Sequence, residues 1–486
     1  MAQWWRDPGS QRWSWAAVLL VLLTMPLGIV GRPLAVGDEA REAAVAANML
    51  ATGDWQRTAL GGVVLYEKPP FFYMAVAGAA RAMGGLSPLS ARLPSLLFAA
   101  VALLATYRAG AALFSPRTGF VAMLLLGSTY LFVVNAYDCL IDVVLTGCVA
   151  AGVCVFIVRS SEDAPRWDLW WGLCAAGALL AKGLVGPILL VLLTLPFWWL
   201  SAKRRPLGQS VSAGSIGLPL LAFALWLGVT WSASGAPGLY EALWIQNVGR
   251  FAGFDIPGYE HHRAGFFSYL PSLPGRVFPW TLLLGGGLAR AWTREGRRLR
   301  PLASAFLLAL LLLSAAGTKR TVYLLPLTPV VALLCAGSIE EARCLATRGA
   351  RLLLRTTVAL GAAGLVAFLW LRLPPLPRSE PDREAEFFRE VERRVPPRAL
   401  LVAYNVNENI LGKALLEMRH PVHQQYDIDL AAEACRSGEA RVLSEVEHLE
   451  PPYVAPLRER LAPVYIGKAG GKLVALYRCR AASARP

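Results

Sequence analysis

Eleven apolar stretches recur along the chain, most of them near the length that crosses the ~30 Å hydrocarbon core of a bilayer. They cover residues 15–30, 89–113, 120–134, 140–158, 169–180, 184–200, 216–231, 277–288, 302–316, 322–337 and 352–371. In lipid a backbone must satisfy its own hydrogen bonds, in helices or closed barrels; continuous apolar runs, longer than the ~10 residues of a barrel strand, read as helices, and the expected class is an all-α polytopic membrane protein. Composition agrees, with 55% hydrophobic and 17% charged residues against about 25% charged in a soluble domain. Arg6 and Arg12 precede the first stretch, but no small-residue cleavage site follows it, so it reads as a retained anchor. The net charge of +15 comes from basic residues scattered through short loops. It makes no stripe on a soluble face, which excludes nucleic acid as the partner.

Orientation follows from those loops. With the N-terminus inside and 71–85 an interfacial or re-entrant helix, segments 1–12, 108–117, 159–168, 203–206, 290–301 and 340–351 face the cytoplasm and hold seventeen lysines and arginines. The short outer turns hold only Lys182, Lys319 and Arg320. This is the positive-inside pattern. A full crossing at 71–85 would turn Lys203, Arg204, Arg205 and the 290–300 cluster outward, and the segment is short for a span. Loops 32–70 and 234–276 and the C-terminal tail then lie on the extracytoplasmic face. Domains are expected at 1–372, the membrane part with its two outer loops, and 373–486, a small α/β domain. The latter opens with the Pro-rich 373–377, a helix-like 383–395 and strand-like 399–404 and 472–477. Cys435 and Cys479 can pair if that domain is exported. The other six cysteines lie in or beside apolar spans, as small packing residues.

Chemistry concentrates on the outer face. The first loop opens with Asp38-Glu39-Ala40-Arg41, two carboxylates that alone would suit the first turn of a helix. It closes with Tyr66-Glu67-Lys68-Pro69-Pro70 against an aromatic helix. There Lys68 either meets a lipid phosphate or reaches for headgroups, with Tyr66 in the aromatic belt. Asp142 starts an apolar span and Lys182 sits between two, where an ionisable group is costly unless paired or functional. Asp138 suits a helix cap.

Asp38-Glu39-x-Arg41, Gly53-Asp54-Trp55 and Tyr66-Glu67-Lys68-Pro69 resemble the bacterial aminoarabinose transferases, which share the GT-C fold with protein O-mannosyltransferases. The likeness continues through Tyr137-x4-Asp142, Lys182-Gly183-x3-Pro187, Arg250-Phe251, His262-Arg263-Ala264, Tyr269, Pro279-Trp280 and Lys319-x3-Tyr323, covering about residues 10–340. Departures are Glu42, where a Tyr often follows, Asn247 in place of a common His, and a span count below that of the aminoarabinose enzymes.

The resemblance implies transfer of a pentose or hexose from a polyprenyl-phosphate donor to an envelope acceptor, lipid A or another glycolipid. Asp38 is the implied general base, with Glu39 beside it and Asp142 as a further active-site acid. Lys68, Arg263, Lys319 and Tyr323 are implied at the leaving phosphate, where negative charge grows. Arg41, Tyr66 and Lys182 complete the site, Lys182 either binding donor or pairing with a carboxylate. Glu67 and His262 match a metal-binding pair, which leaves a divalent cation open, although two ligands alone do not make a site. No Gly-rich nucleotide loop stands in a strand-turn-helix context, so no nucleotide cofactor is expected. Two rivals remain: a mannosyltransferase-like enzyme acting on Ser or Thr, and a transporter or flippase. The latter would cluster its charges at the midplane between repeats, whereas here they gather at one face.

Overall fold

The computed structural model describes residues 12, 32–35, 37–162, 166–254, 264–342, 382–434, 440–451 and 454–480. The expected spans at 15–30 and 352–371, the linker 373–377, and His262, Arg263 and Cys435 lie outside them. Among the described residues four helices are long and apolar enough to cross a membrane: Pro88–Leu113, Ile141–Ser161, Ala213–Ala252 and Thr321–Glu341. A fifth span is formed if Pro116–Gly127 and Tyr130–Ala136, bent by 68° at their junction, count as one. The chain is therefore a polytopic, mainly helical membrane protein with at least four spans. Other apolar stretches form shorter helices. Leu169–Lys182 has 14 residues, which at ~1.5 Å per residue reaches only about 21 Å. The stretch expected at 277–288 is an 11-residue helix, Thr281–Ala291, because Tyr269–Val277 is a separate helix and Pro279 stands between them.

The chain divides into two compact units. The first contains Glu67–Phe72 and the membrane helices from Arg92 onward. Its helices start where local chemistry provides acceptors for their first N–H groups. Ser115 accepts from Thr118 N, Asp168 from Trp170 N and Trp171 N, and Ser212 from Ser215 N. Leu169–Lys182 packs between Ile141–Glu162 and Ala213–Tyr240, and it approaches the latter closely at Gly172. A Cβ there would lie 2.3 Å from the Gly214 carbonyl oxygen, so only glycine fits. The loop expected at 234–276 instead starts as helix: Ala213–Tyr240 runs on into a π-helix, Glu241–Gly249. Such wide turns gather at functional sites.

The second unit comprises 31–66, 73–91 and the tail from 377. The boundary expected between residues 372 and 373 lies outside the described residues. Its first hairpin, β1 (Ala59–Leu60) and β2 (Val63–Val64), turns through Gly61-Gly62 with φ of 56° and 84°. A five-stranded sheet follows, formed by β3 (Leu401–Tyr404), β4 (Val422–Gln425), β5 (Arg441–Glu445), β6 (Leu461–Ala469) and β7 (Lys472–Cys479) in the order β4-β3-β5-β7-β6. β3 pairs in parallel with β4 and β5, and its four residues are all buried, so Leu-Val-Ala-Tyr shows no alternation. β6 and β7 pair antiparallel across Gly470-Gly471, both at positive φ, as a two-residue hairpin turn requires. The helix expected at 383–395 is Arg383–Arg394. Cys479 is disulfide-bonded, while Cys139, Cys148, Cys154, Cys174 and Cys335 are free thiols.

The helix Asp38–Thr52 packs on Glu408–Glu417 within this unit. A Cβ on Gly412 would lie 2.6 Å from Arg41 Cα, so the two backbones touch there. Gln424 N on β4 donates to the Gly61 carbonyl at 2.8 Å, which joins the hairpin to the tail. Asn405 has a positive φ of 48°, and the Asn407 side chain caps Glu408–Glu417 by accepting from Asn409 N. The Asn-rich 405–409 stretch is thus turn and cap chemistry.

Candidate active site

In the membrane unit, one short segment, 316–323, meets polar groups from several parts of the chain. Thr318 donates its hydroxyl to the Arg250 carbonyl at 2.7 Å, and Gly317 N donates to the Phe251 carbonyl at 2.7 Å. Two glycines make this approach possible, since a Cβ on Gly317 would lie 2.5 Å from Gly253 Cα. Arg250 in turn donates from Nη2 to Glu67 Oε1 at 2.7 Å. Lys319 donates to the carbonyls of Ala264, at 2.8 Å, and Ala316. Withdrawal from water lowers the pKa of its ammonium, as for any cation losing hydration. The Tyr269 hydroxyl donates to the Arg320 carbonyl at 3.2 Å.

At the far end of the segment, Tyr323 lies under Lys182, whose Nζ is 4.4 Å from the ring centroid. Lys182 also donates to Asp142 Oδ1. Asp142 occupies the first turn of Ile141–Glu162, and its side chain is only 7% exposed, that of Lys182 14%. Of the two roles open to Lys182, the structure contains the pairing with a carboxylate. It brings Asp142, Lys182, Lys319 and Tyr323 to one segment and its neighbours, and adds Glu67 through Arg250. Lys68 is half-buried in the same unit.

In the second unit, Asp38 begins its helix half-buried, directly after Gly37 at φ 142°. Glu39 is buried and its Oε2 accepts from Ala35 N at 3.1 Å, so it fixes the loop entering the helix. Arg41 is buried as well and is held by carboxylates: Nε donates to Glu408 Oε2 at 2.6 Å and Nη1 to Glu42 Oε1 at 3.3 Å. Tyr66 is half-buried at the end of this unit's first segment.

Sequence reasoning missed Thr318 and the Arg250–Glu67 pair as parts of the site, although Arg250 stands in a quoted motif. An arginine and a glutamate 183 positions apart carry no mutual signal. Glu67 was a candidate metal ligand, but its Oε1 is taken by a guanidinium, and its companion His262 lies outside the described residues. Three ligand atoms of Glu445, Glu447 and His448 do lie within 4.8 Å of one another. The Lys472 ammonium already pairs with two members of that group, at 2.6 Å from Glu445 and 3.1 Å from Glu447.

Comparison with known proteins bears on this arrangement. A family profile described as dolichyl-phosphate-mannose-protein mannosyltransferase matches residues 67–229. The undecaprenyl phosphate-alpha-4-amino-4-deoxy-L-arabinose arabinosyl transferase of Pseudomonas paraeruginosa is 30% identical over 380 residues, covering 75% of this chain and 67% of the relative. The chain belongs to the aminoarabinose transferase family. Arabinosyl transferase 2 of Pseudomonas fluorescens is 28% identical over 379 residues, covering 75% of this chain and 62% of the relative. The chain thus spans less than two thirds of the length of that relative. The crystal structure of ArnT from Cupriavidus metallidurans bound to undecaprenyl phosphate aligns with a TM-score of 0.73 at 17% identity, over 96% of this chain and 98% of that one. The family member described here has the same GT-C fold.

Proposed function

We propose that the chain is an inverting glycosyltransferase that moves aminoarabinose or a related sugar from undecaprenyl phosphate to lipid A or another envelope glycolipid. The observation that carries this reading is the convergence on segment 316–323 of Lys319, Tyr323, the Lys182–Asp142 pair and the Arg250–Glu67 pair, in a member of a family whose relatives are named for that donor. The leaving polyprenyl phosphate gains charge as the anomeric bond breaks. Lys68, Arg263 and Lys319, with the Tyr323 hydroxyl, are proposed to hold it, because cations in a partly desolvated site act strongly on developing charge. Asp142 pairs with Lys182 and seats it over Tyr323. Asp38 takes the proton from the acceptor hydroxyl, whose oxygen attacks the anomeric carbon opposite the departing phosphate. Glu39 and Arg41 fix the backbone and helix that carry Asp38, and Tyr66 lines the end of that loop. A divalent metal fits poorly at Glu67, where a guanidinium already neutralises the carboxylate, and no step here runs through one.

The reading places this chemistry on the extracytoplasmic face, with eleven crossings and the C-terminus outside. In intact cells an impermeant maleimide should label Thr52→Cys but label Arg204→Cys only after permeabilisation; the opposite pattern overturns the orientation. Turnover is tested in proteoliposomes with an undecaprenyl-phosphate aminoarabinose donor and lipid A, comparing wild type with Asp38→Asn. A loss of about 10²- to 10⁴-fold is expected for removal of a general base. Asp38→Asn as active as wild type would remove Asp38 from the mechanism. The profile match over 67–229 favours one second reading, transfer to a protein Ser or Thr from a polyprenyl donor; labelled product in the protein fraction rather than the lipid fraction would select it.

A further inference from the structure

The helix Glu408–Glu417 makes three separate ties to the segment that carries Asp38. Lys413 is only 1% exposed, yet each of its three ammonium protons has an acceptor: the Leu34 carbonyl at 2.9 Å, Asp382 Oδ2 at 2.7 Å and Glu417 Oε1 at 2.7 Å. A lysine has three donors and no acceptor, so this one is saturated. Leu34 lies four residues before Asp38. Three residues after Asp38, the Arg41 backbone rests on Gly412 without room for a methyl group, and the Arg41 side chain is held by Glu408. The chain is therefore gripped on both sides of Asp38 by one helix more than 350 positions further along.

A buried lysine whose bonds include a main-chain carbonyl outside any helix or strand fixes that loop in space. Burial of so polar a group is costly unless its partners are well placed, and here the partner that is not a carboxylate belongs to the loop entering the Asp38 helix. We infer that Lys413, seated by Gly412 and assisted by Glu408, is a positioning residue for the Asp38 carboxylate, so that the C-terminal domain acts in the transfer step. This rests on the reading of Asp38 as general base.

The test uses the full-length protein in proteoliposomes with the undecaprenyl-phosphate aminoarabinose donor and lipid A. Lys413→Met should lower kcat by about tenfold or more, since misplacement of a catalytic group by ~1 Å costs on the order of a hundredfold, while KM for the donor stays within twofold. Should Lys413→Met fail to fold with two carboxylates left unpaired, the neutral triple variant Lys413→Met/Asp382→Asn/Glu417→Gln removes the same tie without stranding charge, and Gly412→Ala displaces Arg41 independently. Lys472→Met is the control: it also removes a lysine from a buried carboxylate, Glu445, in the same unit, and should leave kcat within twofold. Added to Asp38→Asn, Lys413→Met should lower the residual rate no further. A folded triple variant with wild-type kcat overturns the inference, as does an unchanged kcat with a raised KM, or an equal loss in the Asp38→Asn background. A fully active Asp38→Asn, by contrast, removes the base itself and is read without any Lys413 variant.

Discussion

Lys182→Met removes one member of an ion pair that is nearly closed to water, and its cost can be worked from the structure. Asp142 is 7% and Lys182 14% exposed at the side chain, so solvent screening relieves little of the charge left behind. Stranding a buried carboxylate costs about 3–5 kcal/mol. Asp142→Asn should cost less, about 2 kcal/mol, because the lysine keeps its place over Tyr323, a contact worth ~1 kcal/mol when partly desolvated, and can reach toward water along its stem. The double variant strands no charge and should lose only about 1–2 kcal/mol. The coupling is then about 3–6 kcal/mol, at or above the upper end for residues in contact. Thermal unfolding of the four proteins in one detergent measures it: the two single variants should melt lower than the double or close to it, despite its carrying both changes. Turnover separates two uses of the pair. If Lys182 serves only to neutralise Asp142, the double variant regains activity; if the Lys182–Tyr323 face holds donor phosphate, it stays as slow as Lys182→Met. Single costs that sum to the double within about 0.5 kcal/mol would refute the pairing.

Three other outcomes follow from local geometry. Gly172→Val, placed against the Gly214 carbonyl, should destabilise the membrane unit by at least about 1–3 kcal/mol of overpacking, seen as a lowered melting temperature, whereas Gly217→Val, with open space around its Cβ position, should not. With Arg250 as the counter-ion of Glu67, treatment with EDTA should leave turnover within twofold, while Glu67→Gln should reduce it; loss of activity on chelation would restore a metal to the site. Burial alone would raise the Asp382 carboxyl pKa, but the hydrogen bond from Lys413, the Ala385 N–H and the lysine charge outweigh it and hold it below its usual value. A depressed folded-state pKa gives stability that is present above the unfolded value of about 3.9 and is lost as pH falls through the folded one. The melting temperature should therefore drop on acidification below about pH 4, and Asp382→Asn should flatten that part of the profile.

The membrane class and the site motifs were legible because their signals are local. An apolar run of 26 residues such as Pro88–Leu113 has no other use than a span or a buried helix, and Asp142 and Lys182 stood out because a charge in such a run needs a reason. Span lengths were less legible. Hydropathy does not register where a helix stops, and the caps that end or start helices, Asp168 before Leu169 for instance, are single polar residues in turns. In the tail, β7 was visible as the apolar run Leu-Val-Ala-Leu-Tyr after the Gly470-Gly471 turn. β4, Val-His-Gln-Gln, was not, because a short strand beside β3 is made by its neighbour more than by its own propensity.

The least legible feature is the one that binds segment 32–66 to the tail. Lys413 and Glu417 stand four apart, the spacing of an ordinary exposed helix pair, and nothing nearby marks the lysine as buried. Its burial is decided by Leu34 and Asp382, the first separated from it by 379 positions. Gly412 carried the better clue. A glycine in a helix costs about 1 kcal/mol relative to alanine, and such a cost persists where another backbone must come close, as Arg41 does here. Segment 316–323 repeats the logic in the membrane unit, where Gly317 meets Gly253 and the side chains of Thr318, Lys319 and Tyr323 then reach Arg250, Ala264 and Lys182 in turn. In both units the glycine sets the approach of two distant segments, and the charged groups beside it take their geometry from that approach.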